Sequence, residues 1–266
     1  MIPRKSILFL LLFFGLLVSL RLNAQVIVVG ELTQEKNVSP GDSYNGTIML
    51  QNVGTDSGEV KIYLQDYLFQ FNGTSQYLKP GTVQRSNSAW ITFSPKQVSV
   101  PPRERSIVNY TVNVPQTDTL KGTYWSMLIV EPVSEIGPAP KMGIAVHTVL
   151  RYGIQIITNI GDTGSRKLKF LHTKLLKEKG KRFLQVDIEN TGERILRPKL
   201  LVELYDKMGN KIGTYEAEAR RTYPGTSIRQ RVDLSKVVVG TYKALVIADC
   251  GGDDLFGAQY TLKIEE

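Results

Sequence analysis

The stretch "KGTYWSMLIVEP" at residues 121–132 is echoed half a chain later by "VGTYKALVIADC" at 239–250. Each copy opens with Gly-Thr-Tyr and runs on through apolar residues that favour a pleated, buried strand. Working outward, two more segments recur. "LQNVGT" (50–55) corresponds to "IENTGE" (188–193), and "PRERSIVNYTVNV" (102–114) to "PGTSIRQRVDL" (224–234). The order is the same in both halves: Asn-x-Gly, then Pro with Ser-Ile, then Gly-Thr-Tyr. The first half is longer, by an insertion at Phe69–Ser88. In this frame Tyr124 and Tyr242 open equivalent strands, each able to bury its ring and cap backbone groups at a corner.

The rest of the chain agrees. "VKIYLQDYLF", "AWITFSP", "FLQVDIENTG" and "QYTLKIEE" are short runs rich in Val, Ile, Tyr, Phe and Thr, separated by Pro, Gly, Asn and Asp. Nothing long reads as an amphipathic helix. "KLKFLHTKLLKEKG" (167–180) comes closest and fits a strand and hairpin better. The expected fold class is all-β: two consecutive immunoglobulin-like β-sandwiches after a cleaved signal peptide. The expected divisions are 1–24 signal peptide, 25–160 first sandwich and 161–266 second, with the seam in "NIGDTGSRK" (159–167).

The signal reading rests on Arg4 and Lys5, an apolar run from Ile7 to Leu20, and Leu-Asn-Ala ending at Ala24. An uncleaved anchor helix is the alternative, but a bilayer span needs about 20 apolar residues. Losing Arg4, Lys5 and Arg21 lowers 33 basic residues to 30 against 25 acidic, a net charge of +5. That mild, dispersed excess, without basic runs interleaved with aromatics, gives no support to nucleic-acid binding. Cys250 is the single cysteine, so no internal disulfide forms and stability rests on core burial. The expected location is periplasmic, extracellular or at the cell surface, with no stable membrane insertion once the signal is cleaved.

"SAWITFSPKQVSVPPRERSIVNYTVNVPQTDTLKGTYWSMLIVEP" (88–132) resembles the amino-terminal domain of periplasmic pilus chaperones, the PapD-like family, and equally the modules of two-domain Ig-like secreted envelope proteins. The resemblance covers about residues 26–158. It implies a long seventh strand that pairs with an incomplete partner and lends it alternate side chains, which is β-strand addition. "IAVHTVLRYGIQI" (144–156) alternates as such a strand requires, over about 43 Å at ~3.3 Å per residue. The candidate partner-binding residues are therefore Val146, Thr148, Leu150, Arg151, Tyr152 and Ile154. A last strand whose apolar face fills its own core would show the same pattern. The family also holds its client's terminal carboxylate with two basic residues, one on the first strand and one on the seventh. Arg151 fits the second position; the first strand offers no arginine, and Lys36 only at its far end.

Catalytic signatures are missing from the sequence: there is no Gly-x-Ser-x-Gly, P-loop or dinucleotide fingerprint. His147 and His172 stand apart from other metal ligands. "ADCGGDD" (248–254) reads as a hairpin loop, with weak calcium binding as the alternative. No enzyme activity, cofactor or metal is expected. The expected role is a chaperone-like or scaffold protein that binds other envelope or surface proteins at a long edge strand. The alternative is a passive structural or adhesive module, for which Phe69, Phe71 and Tyr77 would offer an exposed aromatic cluster.

Overall fold

The computed structural model describes residues 26–133 and 149–265. The expected signal segment, and Val146, His147 and Thr148, lie outside the described residues. The first sandwich comprises β1 (Val26–Val29), β2 (Thr33–Val38), β3 (Ser43–Asn52), β4 (Gly58–Phe69), β5 (Ser75–Leu78), β6 (Ile91–Ser94), β7 (Gln97–Val100), β8 (Arg105–Asn113), β9 (Gly122–Pro132) and β10 (Tyr152–Ile160). One sheet runs β1-β3-β8-β6; the facing sheet runs β2-β10-β9-β4-β5, with β7 also on β4. The chain changes sheets between β1 and β2 at Gly30, whose φ of +106° is open to glycine. β2 then lies parallel to β10, from Thr33 opposite Gln155 to Val38 opposite Ile160.

The second sandwich comprises β11 (Leu168–Glu178), β12 (Lys181–Asn190), β13 (Lys199–Tyr205), β14 (Lys211–Ala217), β15 (Ser227–Asp233), β16 (Gly240–Asp249) and β17 (Leu255–Ile264). Its sheets are β11-β12-β15 and β14-β13-β16-β17. Period-two patterning places the core directly: Leu200, Val202 and Leu204 of β13 face inward with Ala244, Val246 and Ala248 of β16. Leu50, Val108, Leu128, Ile154 and Ile156 do the same in the first sandwich.

The sequence echo has a physical basis. Asn52 and Asn190, both wholly buried, end β3 and β12 and perform the same task. The Asn52 side chain donates to the carbonyls of Asp56 and Val100 and accepts from the Gly54 N–H, each at 2.8 Å. Asn190 donates to the carbonyls of Arg194 (2.8 Å) and Thr222 (3.1 Å) and accepts from the Gly192 N–H (2.9 Å). Each amide closes its own turn and ties it to a distant segment, satisfying backbone groups that burial would otherwise leave unpaired. Tyr242 makes the expected corner, donating to the Val238 carbonyl at 2.8 Å. Tyr124 differs: its ring rests against Trp90, centroids 4.7 Å apart, with the Arg85 guanidinium 5.4 Å from its centre.

A third, small core joins the sandwiches. Trp125 of β9 stacks on Tyr223 of the second sandwich (4.7 Å, 15°), with Ile157 and Ile195 buried alongside. The insertion that lengthens the first half supplies a strut. The β4–β5 turn carries Gln70 and Phe71, and the Phe71 N–H donates to Ser227 Oγ (3.0 Å), which donates to Gln70 Oε1 (2.5 Å). Arg229 lies 5.2 Å from the Phe71 ring centre, and Phe69 meets Tyr223 edge-on. The aromatic cluster expected to be exposed is thus mostly enclosed; Tyr77 alone stays open, beside Tyr67. Aromatic rings bury too much apolar area to remain outside when a second sandwich lies within reach.

Gly122, at the head of the echoed stretch, has φ +75°, and a Cβ there would lie 2.1 Å from the Glu193 carbonyl oxygen. Gly122→Ala therefore combines left-handed strain of about 1–2 kcal/mol with a backbone collision. A loss of at least ~2 kcal/mol is expected in urea unfolding. The equivalent Gly240 meets only the Tyr242 ring, at 3.2 Å and beyond, so Gly240→Ala is expected to cost much less.

Candidate partner-binding edge and cleft

β10 begins at Tyr152; of the strand expected at 144–156, residues 144–148 lie outside the described residues and 149–151 are not strand. Val149, Leu150 and Arg151 precede the strand, which continues to Ile160 through residues read from sequence as the seam. The ladder with β9 runs from Tyr152–Val130 to Ile160–Gly122. Beyond Val130, β9 reaches Glu131 and Pro132, and a proline has no N–H for further pairing. Ile154 and Ile156 are wholly buried in the first core, so Ile154 is core rather than contact surface. Tyr152 is half-buried, and Leu150 is exposed.

Arg151 is engaged with a carboxylate of its own chain. Its Nε lies 2.9 Å from Glu131 Oε2, and Lys61 Nζ lies 3.0 Å from Oε1. The Tyr63 hydroxyl donates to the same carboxylate. Burial alone would raise the Glu131 pKa, but Tyr63, Lys61 and Arg151 together hold it below the usual carboxylate value. Burial and the adjacent Glu131 push the Tyr63 phenol up to about 12. A depressed folded pKa stabilises the fold above the unfolded value, and that contribution disappears as pH falls through the folded one. Acid titration below pH 4.5 is expected to lose this contribution in the native chain. In Glu131→Gln about 1 kcal/mol is expected to be missing already at neutral pH, with a shallower acid limb in chemical unfolding.

Beside this cluster the β10 edge is open. The Gln155 N–H donates to the Leu32 carbonyl at 2.9 Å, so Gly153 and, just ahead of the strand, Arg151 turn their backbone groups to the same side. β2 provides no ladder partner before Gln155. Among the described residues that stretch of edge is unpaired. Leu32, Val133, Val149 and Leu150 are all exposed around it; Tyr152 opposite Val130 places the end of β9 and the start of β10 together.

Following β10 toward the second sandwich, the edge leads into a cleft of about 440 Å³ lined by Tyr67, Phe69, Gln155, Arg220, Arg221 and Tyr223. Arg221 Nη1 donates to Thr33 Oγ1 (3.0 Å) and Gln155 Oε1 (3.4 Å). The Tyr223 hydroxyl also donates to Gln155 Oε1. Among the described residues the buried Arg221 Nε has no hydrogen-bond partner, a costly condition for a guanidinium N–H. Neighbouring Arg197 is held by Glu35 of β2. Arg221 of the second sandwich thus places a guanidinium in the cleft beside β2 and β10. Little in the sequence marks Arg221 as a cleft residue, because its partners there, Thr33 and Gln155, lie in the other half of the chain. Its one local signal was an arginine pair ahead of a landmark proline, "RRTYPG" (220–225).

Elsewhere, His172 is an exposed residue 3.7 Å from Asp187. In the 249–254 loop, Asp249 accepts from the Gly251 N–H and Asp254 pairs with Arg166 at 2.9 Å. Burial pushes the Cys250 thiol up to about 12, which leaves it protonated and unreactive at neutral pH. Among the described residues no group of three or more His, Cys, Asp or Glu side chains is placed to hold a metal ion. No helix among them is long and apolar enough to cross a membrane.

Solved structures similar in fold to this chain include several fimbrial and pilus chaperones, all at low sequence identity. A crystal structure of the class 5 fimbriae chaperone CfaA is 10% identical, covers 88% of this chain and 98% of its own, and superposes with a TM-score of 0.47. The Acinetobacter baumannii CsuC–CsuE chaperone–tip adhesion subunit pre-assembly complex is 13% identical over 77% of this chain and 89% of that one (TM-score 0.41). The Salmonella enterica SafA pilin complex with the SafB chaperone is 11% identical over 89% and 96% (TM-score 0.43). No protein-family model matches the chain, and no curated protein matches it.

Proposed function

We propose that this protein binds exported partner proteins in the manner of a chaperone or scaffold, pairing the open edge of β10 with an extended partner segment. The observation that carries the reading is the continuity of that edge with the Arg221 cleft. From Arg151 to Gln155 is about 13 Å along the strand. A partner segment laid along it, in line with β2, would meet the start of β2 at Leu32 and Thr33. Running parallel to β10, as β2 does, it would deliver its carboxyl end to the Arg221 guanidinium that lines the cleft, where a charge-assisted bond can form. The exposed Leu32, Val133, Val149 and Leu150 would receive its apolar side chains. The candidate site is accordingly Leu150, Arg151, Tyr152 and Gly153 for pairing, with Arg221 as carboxylate anchor. No reaction is assigned to the protein.

The test of the anchor uses peptides matching the carboxyl-terminal strand of a co-captured partner, made with a free or an amidated end. Amidation and Arg221→Met are each expected to weaken binding by tenfold or more, and not additively, since both remove one contact. Equal binding of the two peptide forms would show that Arg221 is structural.

A further inference from the structure

The end of the second sandwich farthest from the cleft carries a feature that partner binding does not use. Strand pairing brings its loops together. Glu178 pairs with Lys181, Phe183 with Asp233, Tyr205 with Lys243, and Gly240 with Ile264. The β11–β12, β13–β14 and β15–β16 turns and the end of β17 therefore share one end. The linker from β10 and the β16–β17 hairpin lie at the other, joined by the Arg166–Asp254 ion pair.

At this distal end, apolar side chains project from turns. Met208 is 85% exposed and Val238 75%, with Val239 beside it; these are among the most exposed large apolar residues described. Around them Lys177, Lys179, Lys181, Lys207, Lys236 and Lys243 are all exposed; Lys181 and Lys236 act on Asp233 from a distance, and among the described residues none of the six forms a close ion pair. The acids of the same end are already occupied. Glu178 is bound by Arg231, Glu203 by Lys211 and Glu265 by Lys263. Asp206 accepts from its own turn, at Met208 and Asn210, and Asp233 from Ser235. The surface that remains combines exposed lysines outside any close ion pair with protruding apolar tips.

We infer that this end docks peripherally on an anionic phospholipid surface, the lysines meeting the headgroups while Met208, Val238 and Val239 enter the interfacial layer. Charge complementarity selects the occupant. A soluble polyanion would use the lysines and leave the apolar tips idle. A protein partner of ordinary size needs a continuous face of about 800 Å², which convex turn tips do not offer. An anionic bilayer uses both. Docked in this way, the protein would hold its cleft and open edge away from the membrane, free to bind.

Cosedimentation with phosphatidylglycerol–phosphatidylcholine vesicles at low salt, against phosphatidylcholine alone, tests the inference on the mature chain. Partition onto the anionic vesicles alone, lost as salt is raised, is expected. Each lysine is worth roughly fivefold at such a surface, so replacing Lys179, Lys207 and Lys236 with Gln should lower partition on the order of a hundredfold. Met208→Ser with Val238→Ser should lower it on the order of tenfold while the salt dependence remains. All five positions are exposed, so unchanged thermal unfolding confirms that the variants fold. Equal binding to neutral vesicles, no binding to either, or indifference to both sets of substitutions would overturn the inference. So would self-association without vesicles that the same substitutions abolish, because the end would then be a contact between copies.

Discussion

Trp125→Ala is expected to cost about 3–5 kcal/mol and to uncouple the two sandwiches. Trp125 is only 1% exposed; its ring fills the space between β9 and Tyr223, and its indole N–H donates to the Tyr67 carbonyl at 2.8 Å. Truncation opens a cavity in a core that has four buried members, removes the indole bond to the Tyr67 carbonyl and removes the stacking partner of Tyr223. The sandwiches have separate cores, so each retains its own cohesion. Calorimetry should therefore resolve two transitions in the variant where the native chain shows one, and the cleft should lose its fixed width. A single transition lowered by less than about 1 kcal/mol would mean that the strut at Gln70 and Phe71 suffices to couple them.

Arg151→Pro carries the other large effect. The Arg151 N–H lies on the open side of the edge, so proline deletes a donor that a partner strand would use and leaves the β9 ladder untouched. It also removes the ion pair with Glu131, which Arg151→Ala removes by itself. The Arg151 side chain is 59% exposed, so losing that ion pair has a small effect on stability. Arg151→Ala is expected to bind partners nearly as the native chain does, and Arg151→Pro to lose binding by a hundredfold or more. Loss in both variants would instead assign the contact to the guanidinium.

The duplicated architecture was legible in the sequence because its landmarks are local. Asn-x-Gly is a turn closed by its own amide, and alternation such as Leu200, Val202, Leu204 states which way each side chain points. What the copies do not share was harder to read. The alternation of Ile154 and Ile156 fits a donor strand and a core strand alike, and nothing local marks where the ladder with β9 begins. Arg151 was readable as a free clamp until the fold set Glu131 beside it. Trp125 and Arg221 act across the junction, on Tyr223 from one side and on Thr33 and Gln155 from the other. Such contacts depend on how two independently patterned sandwiches meet, which neither pattern encodes. The insertion at 69–88 was visible as extra length, but its use as a strut depends on the same meeting.

The open β10 edge is the centre of this account, and capture of partners from the envelope fraction of the producing cell tests it most directly. Immobilised native chain, Arg151→Ala and Arg151→Pro would be compared after their folding is verified. Retention of the same exported proteins by the native chain and Arg151→Ala, and their loss from Arg151→Pro, is the predicted result. Equal retention by Arg151→Pro, or none by the native chain, would contradict it.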